Sequence, residues 1–167
     1  MLRELFVKNI VLIESLNIHF NRGLSVLTGE TGAGKSILLD SIGLILGNRV
    51  DFNLIRINEN VASVIAIFEI NDKHPVIKVL EKFSVIHENE LIIRREINSN
   101  GKSKCIINDV VITRNALIEI TDNLIEVQGQ FEDRGLLNTK THLSLVDDFA
   151  DHNDFIQNSK EAYNRMI

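Results

Sequence analysis

Apolar and polar side chains alternate along the start of the chain: Leu5 and Val7, then Ile13, Leu16, Ile18 and Phe20, keep a two-residue beat. That period belongs to half-buried strands, so residues 2–9 and 11–20 are predicted to form two strands joined by a short turn. Asn21-Arg22-Gly23 predicts a second turn, and Leu24-Ser-Val-Leu-Thr28 a short buried strand. From Ile37 to Leu46 the pattern is helical, with Gly47-Asn48 as its stop. After a polar stretch, Val61 to Ile70 predicts a strand, and Pro75 opens a helix through Phe83, where its missing N–H costs least. Glu90 to Ile97 and Ser103 to Ile107 read as strands around the turn Asn98-Ser-Asn-Gly101. Thr113 caps a predicted helix through Ile120, and Asn123 to Val127 predicts another short buried strand. From Asn138 the pattern turns helical, with Leu145 and Phe149 four apart, and Asp154 is set to cap a last helix that no Gly or Pro ends before Ile167.

Composition narrows the picture. A chain of 167 residues with 44% hydrophobic content can bury one domain's core. Its formal charge of −5 means that any nucleic-acid contact must come from a local basic patch. Cys105 is the only cysteine, which excludes an internal disulfide and a cysteine-rich zinc site; it reads as a small apolar residue in a strand. Glu4 and Lys8 interrupt the apolar stretch a leader would need, and no apolar run approaches ~20 residues, so the expectation is a cytoplasmic chain without a membrane span.

Gly29-Glu30-Thr31-Gly32-Ala33-Gly34-Lys35-Ser36 fits G-x-x-x-x-G-K-S/T between a predicted strand and a predicted helix, the setting the motif's mechanism requires. Glycines let the backbone turn with positive φ and approach phosphates closely, so that N–H groups and the helix N-terminus point at the anion. Lys35 is placed to neutralise β/γ-phosphate oxygens, and the Ser36 hydroxyl to ligate Mg²⁺. Arg94, Arg95, Lys102 and Lys104 surround one hairpin, as either a basic edge for DNA phosphates or plain solvated charge.

The opening from Leu5-Phe-Val-Lys-Asn9 to Phe20-Asn-Arg-Gly23, the wording Thr28 to Ser36 and the run to Leu44-Ile-Leu-Gly-Asn48-Arg49 resemble the N-terminal head segment of the RecN family of SMC/ABC-type P-loop ATPases. Leu91-Ile-Ile-Arg-Arg95, Gly101-Lys-Ser-Lys-Cys-Ile-Ile-Asn108-Asp and Leu124-Ile-Glu-Val-Gln-Gly-Gln130 continue the likeness in the same order, so it covers nearly the whole chain. The resemblance implies an α/β P-loop NTPase fold: the N-terminal lobe of an ABC/SMC-type head over residues 1–150, with a mixed sheet and an antiparallel β-rich edge, and the start of a coiled-coil helix over 151–167. It implies ATP and Mg²⁺ as cofactors, and head engagement driven by ATP in DNA double-strand-break repair and recombination at the nucleoid. The implied partners are the C-terminal half of such a head or a second head, with DNA in the complete protein. By the same resemblance, Gln130 is the glutamine that contacts Mg²⁺ and the attacking water, suited because an amide ligates without titrating. Family members commonly carry His around this Gly-Gln pair, whereas this chain has Gln128 and Phe131, which keeps Gln128 as a second candidate. Arg56 resembles an arginine that such heads place near nucleotide or DNA, and Asn9 one with a structural role.

Hydrolysis in this class also needs an apolar strand ending in Asp-Glu and a signature from a second head. Leu143-Ser-Leu-Val-Asp147-Asp148 imitates the former, but Ser144 interrupts it and the spacing also fits a helix. The chain alone is therefore expected to bind ATP and turn it over poorly. Two other readings stand beside this one: a self-contained small P-loop kinase or phosphotransferase with Asp147 as metal carboxylate, and an interaction module that pairs with a separate head half.

Overall fold

The computed structural model describes residues 1–28, 34–125, 127, 146–147, 149–150 and 153–166. They fall in two units, Met1–Ile125 and Glu126–Ile167. In the first, six strands form one sheet: β1 (Leu2–Ile10), β2 (Ile13–His19), β3 (Val61–Glu69), β4 (Glu90–Asn98), β5 (Ser103–Ile107) and β6 (Val110–Ile112), in the order β2-β1-β3-β4-β5-β6. Every pairing among the described residues is antiparallel, which is the β-rich part the sequence predicts.

Period-two burial sets the two faces of this sheet. On one face Val7, Val64, Arg95 and Cys105 lie side by side across four strands, as do Leu5, Ala66, Ile93 and Ile107, and all eight are buried. Helix α1 (Lys35–Ile45) packs against β1, β3 and β4 on this face, burying Ile37, Ser41, Leu44 and Ile45. Two more helices complete the unit, α2 (Val76–Lys82) after Pro75 and α3 (Arg114–Thr121), whose cap Thr113 accepts from the Ala116 N–H at 3.2 Å. Gly47 ends α1 at φ +81, where a Cβ would also lie 2.6 Å from Ile118 of α3. Arg114 Nε donates to the Gly47 carbonyl at 2.6 Å, giving the C-terminal end of α1 one of the partners a helix end lacks.

Two predicted strands are absent among the described residues. Residues 24–28 form no strand, with Leu24 92%, Val26 71% and Leu27 51% exposed. A strand exists only with a ladder partner, and the described residues supply none. Residues 123–125 continue off α3 as a turn, with the Leu124 and Ile125 N–H groups donating to the Thr121 carbonyl at 2.9 and 3.3 Å. Leu124 and Ile125 still pack at the core margin, and a short apolar run carries no period that separates strand from turn. Conversely, β6 goes unpredicted, because Val110-Val111-Ile112 is too short to show alternation.

In the second unit Val146, Asp147, Phe149 and Ala150 are helical, in line with the helical reading of that stretch. Helix α4 (Asn153–Met166) includes Asp154, so the residue predicted as its cap lies within the helix. Among the described residues no helix is long and apolar enough to cross a membrane.

Candidate nucleotide-binding site

The described part of the glycine-rich motif is Gly34-Lys35-Ser36, at the N-terminus of α1. Gly34 has φ −131 and ψ −40, and its carbonyl accepts the first helical bond from the Leu38 N–H at 3.1 Å. Among the described residues no side chain caps the helix, and no acidic residue occupies its first turn. The first N–H groups of the helix and the positive end of its dipole lie at this end, with no acidic residue of the first turn beside them. Lys35 and Ser36 are both exposed beside this end. The other wall of the helix is fixed: Ile37 is buried, and the buried Ser41 hydroxyl donates to the Ile37 carbonyl at 2.7 Å. Sequence places a cation and a hydroxyl at an anion-attracting helix end, and packing holds that end still.

The turn leading toward this loop is tethered. Glu69, at the end of β3, accepts from Arg3 of β1 at 3.3 Å and from Arg22 at 3.4 Å. The Arg3 hydrogen bond, with the charge of Arg22, holds the Glu69 carboxyl below its ordinary pKa.

Gly29, Glu30, Thr31, Gly32 and Ala33 lie outside the described residues, as do Gln128 and Gln130. Arg56 is described, and its Nη1 donates to the Leu12 carbonyl at 2.8 Å while its backbone N–H bonds the Asn9 carbonyl at 3.0 Å. It thus closes the β1–β2 turn against the loop before β3. Asn9, buried at φ +56, donates to Glu59 at 3.0 Å and to the Val61 carbonyl at 3.1 Å, the structural role foreseen for it. Asn108 is a brace that sequence reading does not single out. Its Oδ1 accepts from the Ile92 N–H at 2.8 Å and its Nδ2 donates to the Ile86 carbonyl at 2.9 Å. The available signal is the Asn-Asp pair after an apolar run, since both residues take positive φ here.

The basic edge does not form as a set. Arg94 and Lys104 point outward, but Arg95, one residue on, takes the core face and is 2% exposed. Its guanidinium donates to Cys105 Sγ and, at 3.2 Å, to Ser103 Oγ, while Nε has no partner. Burial pushes the Cys105 thiol pKa up, and Arg95 opposes that shift. A buried guanidinium without a carboxylate costs desolvation that thiol and hydroxyl acceptors only partly offset. Arg95→Met, which keeps length and removes the charge, is expected to leave thermal stability unchanged or raise it, by up to roughly 4 kcal/mol. A clear loss of stability on thermal unfolding would mean instead that the hydrogen bonds to Cys105 and Ser103 outweigh the cost of burying the charge.

The described residues that line a cavity of about 550 Å³ are Asp147, Phe155, Ile156, Ser159 and Lys160, all of the second unit. Helix-end geometry, not cavity size, marks the candidate site.

A family model described as an AAA domain matches residues 4–165. The chain belongs to this AAA family. The AAA chain is also 42% identical, over 90% of its length, to the DNA repair protein RecN of Halalkalibacterium halodurans. The matched part is the N-terminal portion of RecN, and the chain spans 27–30% of the length of the curated relatives it matches. Among solved structures, the Smc head domain with an extended coiled coil from Pyrococcus furiosus, bound to the C-terminal domain of ScpA, superposes with a TM-score of 0.64 at 23% identity, covering 98% of this chain and 45% of that one. A chain from work on ATP-driven dimerisation and DNA-stimulated activation of SMC ATPases superposes with a TM-score of 0.62 at 24% identity, covering 89% of this chain and 98% of that one. The fold is therefore that of a P-loop ATPase head's N-terminal lobe, and the AAA family is one of nucleotide binders.

Proposed function

We propose that this AAA chain binds ATP through residues 29–36 as the N-terminal lobe of a RecN-like head, and that in the complete protein ATP draws this lobe against a complementary surface during double-strand-break repair and recombination. The observation that carries the reading is the placement of Lys35 and Ser36, both exposed, at the N-terminus of α1 directly after Gly34. In this reading the backbone of Gly29, Glu30, Thr31, Gly32, Ala33 and Gly34 cradles the phosphates, and Lys35 neutralises their outer oxygens. Ser36 and Gln130 are the residues that would hold Mg²⁺, whose charge offsets that of the phosphates when it is bound. Gln130 also orients the attacking water. Arg56 spends one of its donors on Leu12 and keeps others for an anion.

Exposed Leu24, Val26 and Leu27, with Leu39 of α1 at 53%, support a complementary surface beside the nucleotide: the C-terminal half of the head, or a second head. The same reading places the protein in the cytoplasm, on the nucleoid. The kinase alternative loses ground, since Asp147 is helical and does not end a strand. The test is ATP binding and turnover by the chain alone, at several protein concentrations, with and without duplex DNA. Binding with negligible turnover is the expected result. Brisk turnover independent of concentration would place a complete catalytic set within these residues and overturn the proposal.

A further inference from the structure

The face of the sheet opposite α1 is apolar where a solvated face should be polar. In an antiparallel sheet packed on one side, outward positions are ordinarily hydrophilic. Here Phe6, Ile65, Arg94, Ile106 and Val111 lie side by side across five strands, and Ile67 and Ile92 pair in the next row. None of them is buried: Ile92 is 39% and Val111 68% exposed, and the others are intermediate. The row on the far side, Lys8, Ser63, Glu96 and Lys104, is polar.

The charges on this face are divided between its two edges. In the row from Lys8 to Lys104 the acid is Glu96, 3.8 Å from Arg94, whereas Glu4 and Glu90 lie toward the opposite edge. Lys8 and Lys104 have no ion-pair partner among the described residues, although the chain as a whole carries −5. They stand three strand spacings apart, roughly 14 Å.

We propose that this face docks a protein partner that lays an amphipathic helix across it, with an apolar ridge over Phe6, Ile65, Ile67, Ile92, Ile106 and Val111 and carboxylates meeting Lys8 and Lys104. A helix spans the distance between the two lysines in about nine or ten residues. The apolar rows bury area that phosphates cannot use, which disfavours nucleic acid, whose contacts are mostly to cations and polar donors. A second copy in a two-fold contact would set these unpaired lysines toward each other, which disfavours self-association. The inference rests on the sheet alone and is independent of the nucleotide reading.

The test uses the whole chain and two synthetic helical peptides with the same Leu/Ile stripe, one flanked by Glu and its twin by Lys. Affinity is read by fluorescence anisotropy, and the contact face by NMR shifts of the Ile methyls. The acidic peptide is expected to bind roughly tenfold more tightly than its twin, shifting Ile65, Ile67, Ile92 and Ile106. The double variant Lys8→Glu, Lys104→Glu, both at exposed positions, should reverse that preference. Ile92→Thr with Val111→Thr, which keeps strand propensity, should weaken both peptides. Equal affinity for the two peptides, shifts at Leu24, Leu27 and Leu39 in place of the sheet methyls, the same methyls shifting with duplex DNA alone, or their broadening with protein concentration alone would each overturn the proposal.

Discussion

Replacing Lys35 by Ala is expected to weaken ATP binding by between about tenfold and a hundredfold, while leaving the fold intact. The magnitude follows from losing charge-assisted hydrogen bonds to phosphate, worth roughly 1.5–3 kcal/mol. The fold should survive because Lys35 is exposed in the first turn of α1, and Ala is the strongest helix former. Isothermal titration with ATP, run beside a thermal melt, separates the two effects. A fluorescent nucleotide displaced equally well from both proteins would mean that the phosphates sit elsewhere. Lost binding with a lowered melting temperature would mean that Lys35 also supports the helix.

Phe68→Ala is expected to cost roughly 3–5 kcal/mol, the usual range for emptying a buried aromatic site. Phe68 is 1% exposed on β3 and lies with Leu2, Leu5, Ala66 and Ile125 beneath Ile42 and Ile45 of α1. The loss is a large share of the roughly 5–15 kcal/mol that holds a domain folded. It also falls under the C-terminal half of the helix whose other end carries the phosphate-binding residues. Denaturant unfolding checks the stability term, and ATP titration at low temperature checks whether the remaining folded protein still binds. A midpoint within experimental scatter of the parent would show that the site collapses around the smaller side chain, against the rigid seating described above.

Much of this fold is legible wherever a local rule is enough. Asn98 to Gly101 marks its hairpin by turn chemistry alone, and Thr113 marks its helix by a side chain that reaches the Ala116 N–H. The motif at the start of α1 is legible because phosphate binding requires those residue types at that spacing. What fails is whatever depends on a distant partner. Leu24 to Thr28 has the composition of a buried strand, but pairing is a property of two segments, and one sequence window shows only its own side. Arg94 and Arg95 look alike as charges, yet one sits in solvent and the other in the core, because strand period sends neighbours to opposite faces. That split was available from the alternation of Leu91, Ile93 and Ile97, had the period been allowed to overrule the charge. The roles of Gln130 and of residues 29–33 rest on the motif and the resemblance, since those positions lie outside the described residues.

The strand order also sets how the molecule must assemble. β3, β4, β5 and β6 are neighbours in space in the order in which they follow one another in the chain, and β1 and β2 form a second local pair. Within these two pieces the connections are short turns, except that β3 reaches β4 through residues 70–89, which hold α2. Joining them requires β1 to find β3 across the whole excursion that holds the glycine-rich motif and α1. Closing so long a loop is entropically the most demanding step, and it gains little until the β1–β3 ladder and the seat of α1 form together. The phosphate-binding helix is therefore carried on the link of the sheet that has the longest loop to close.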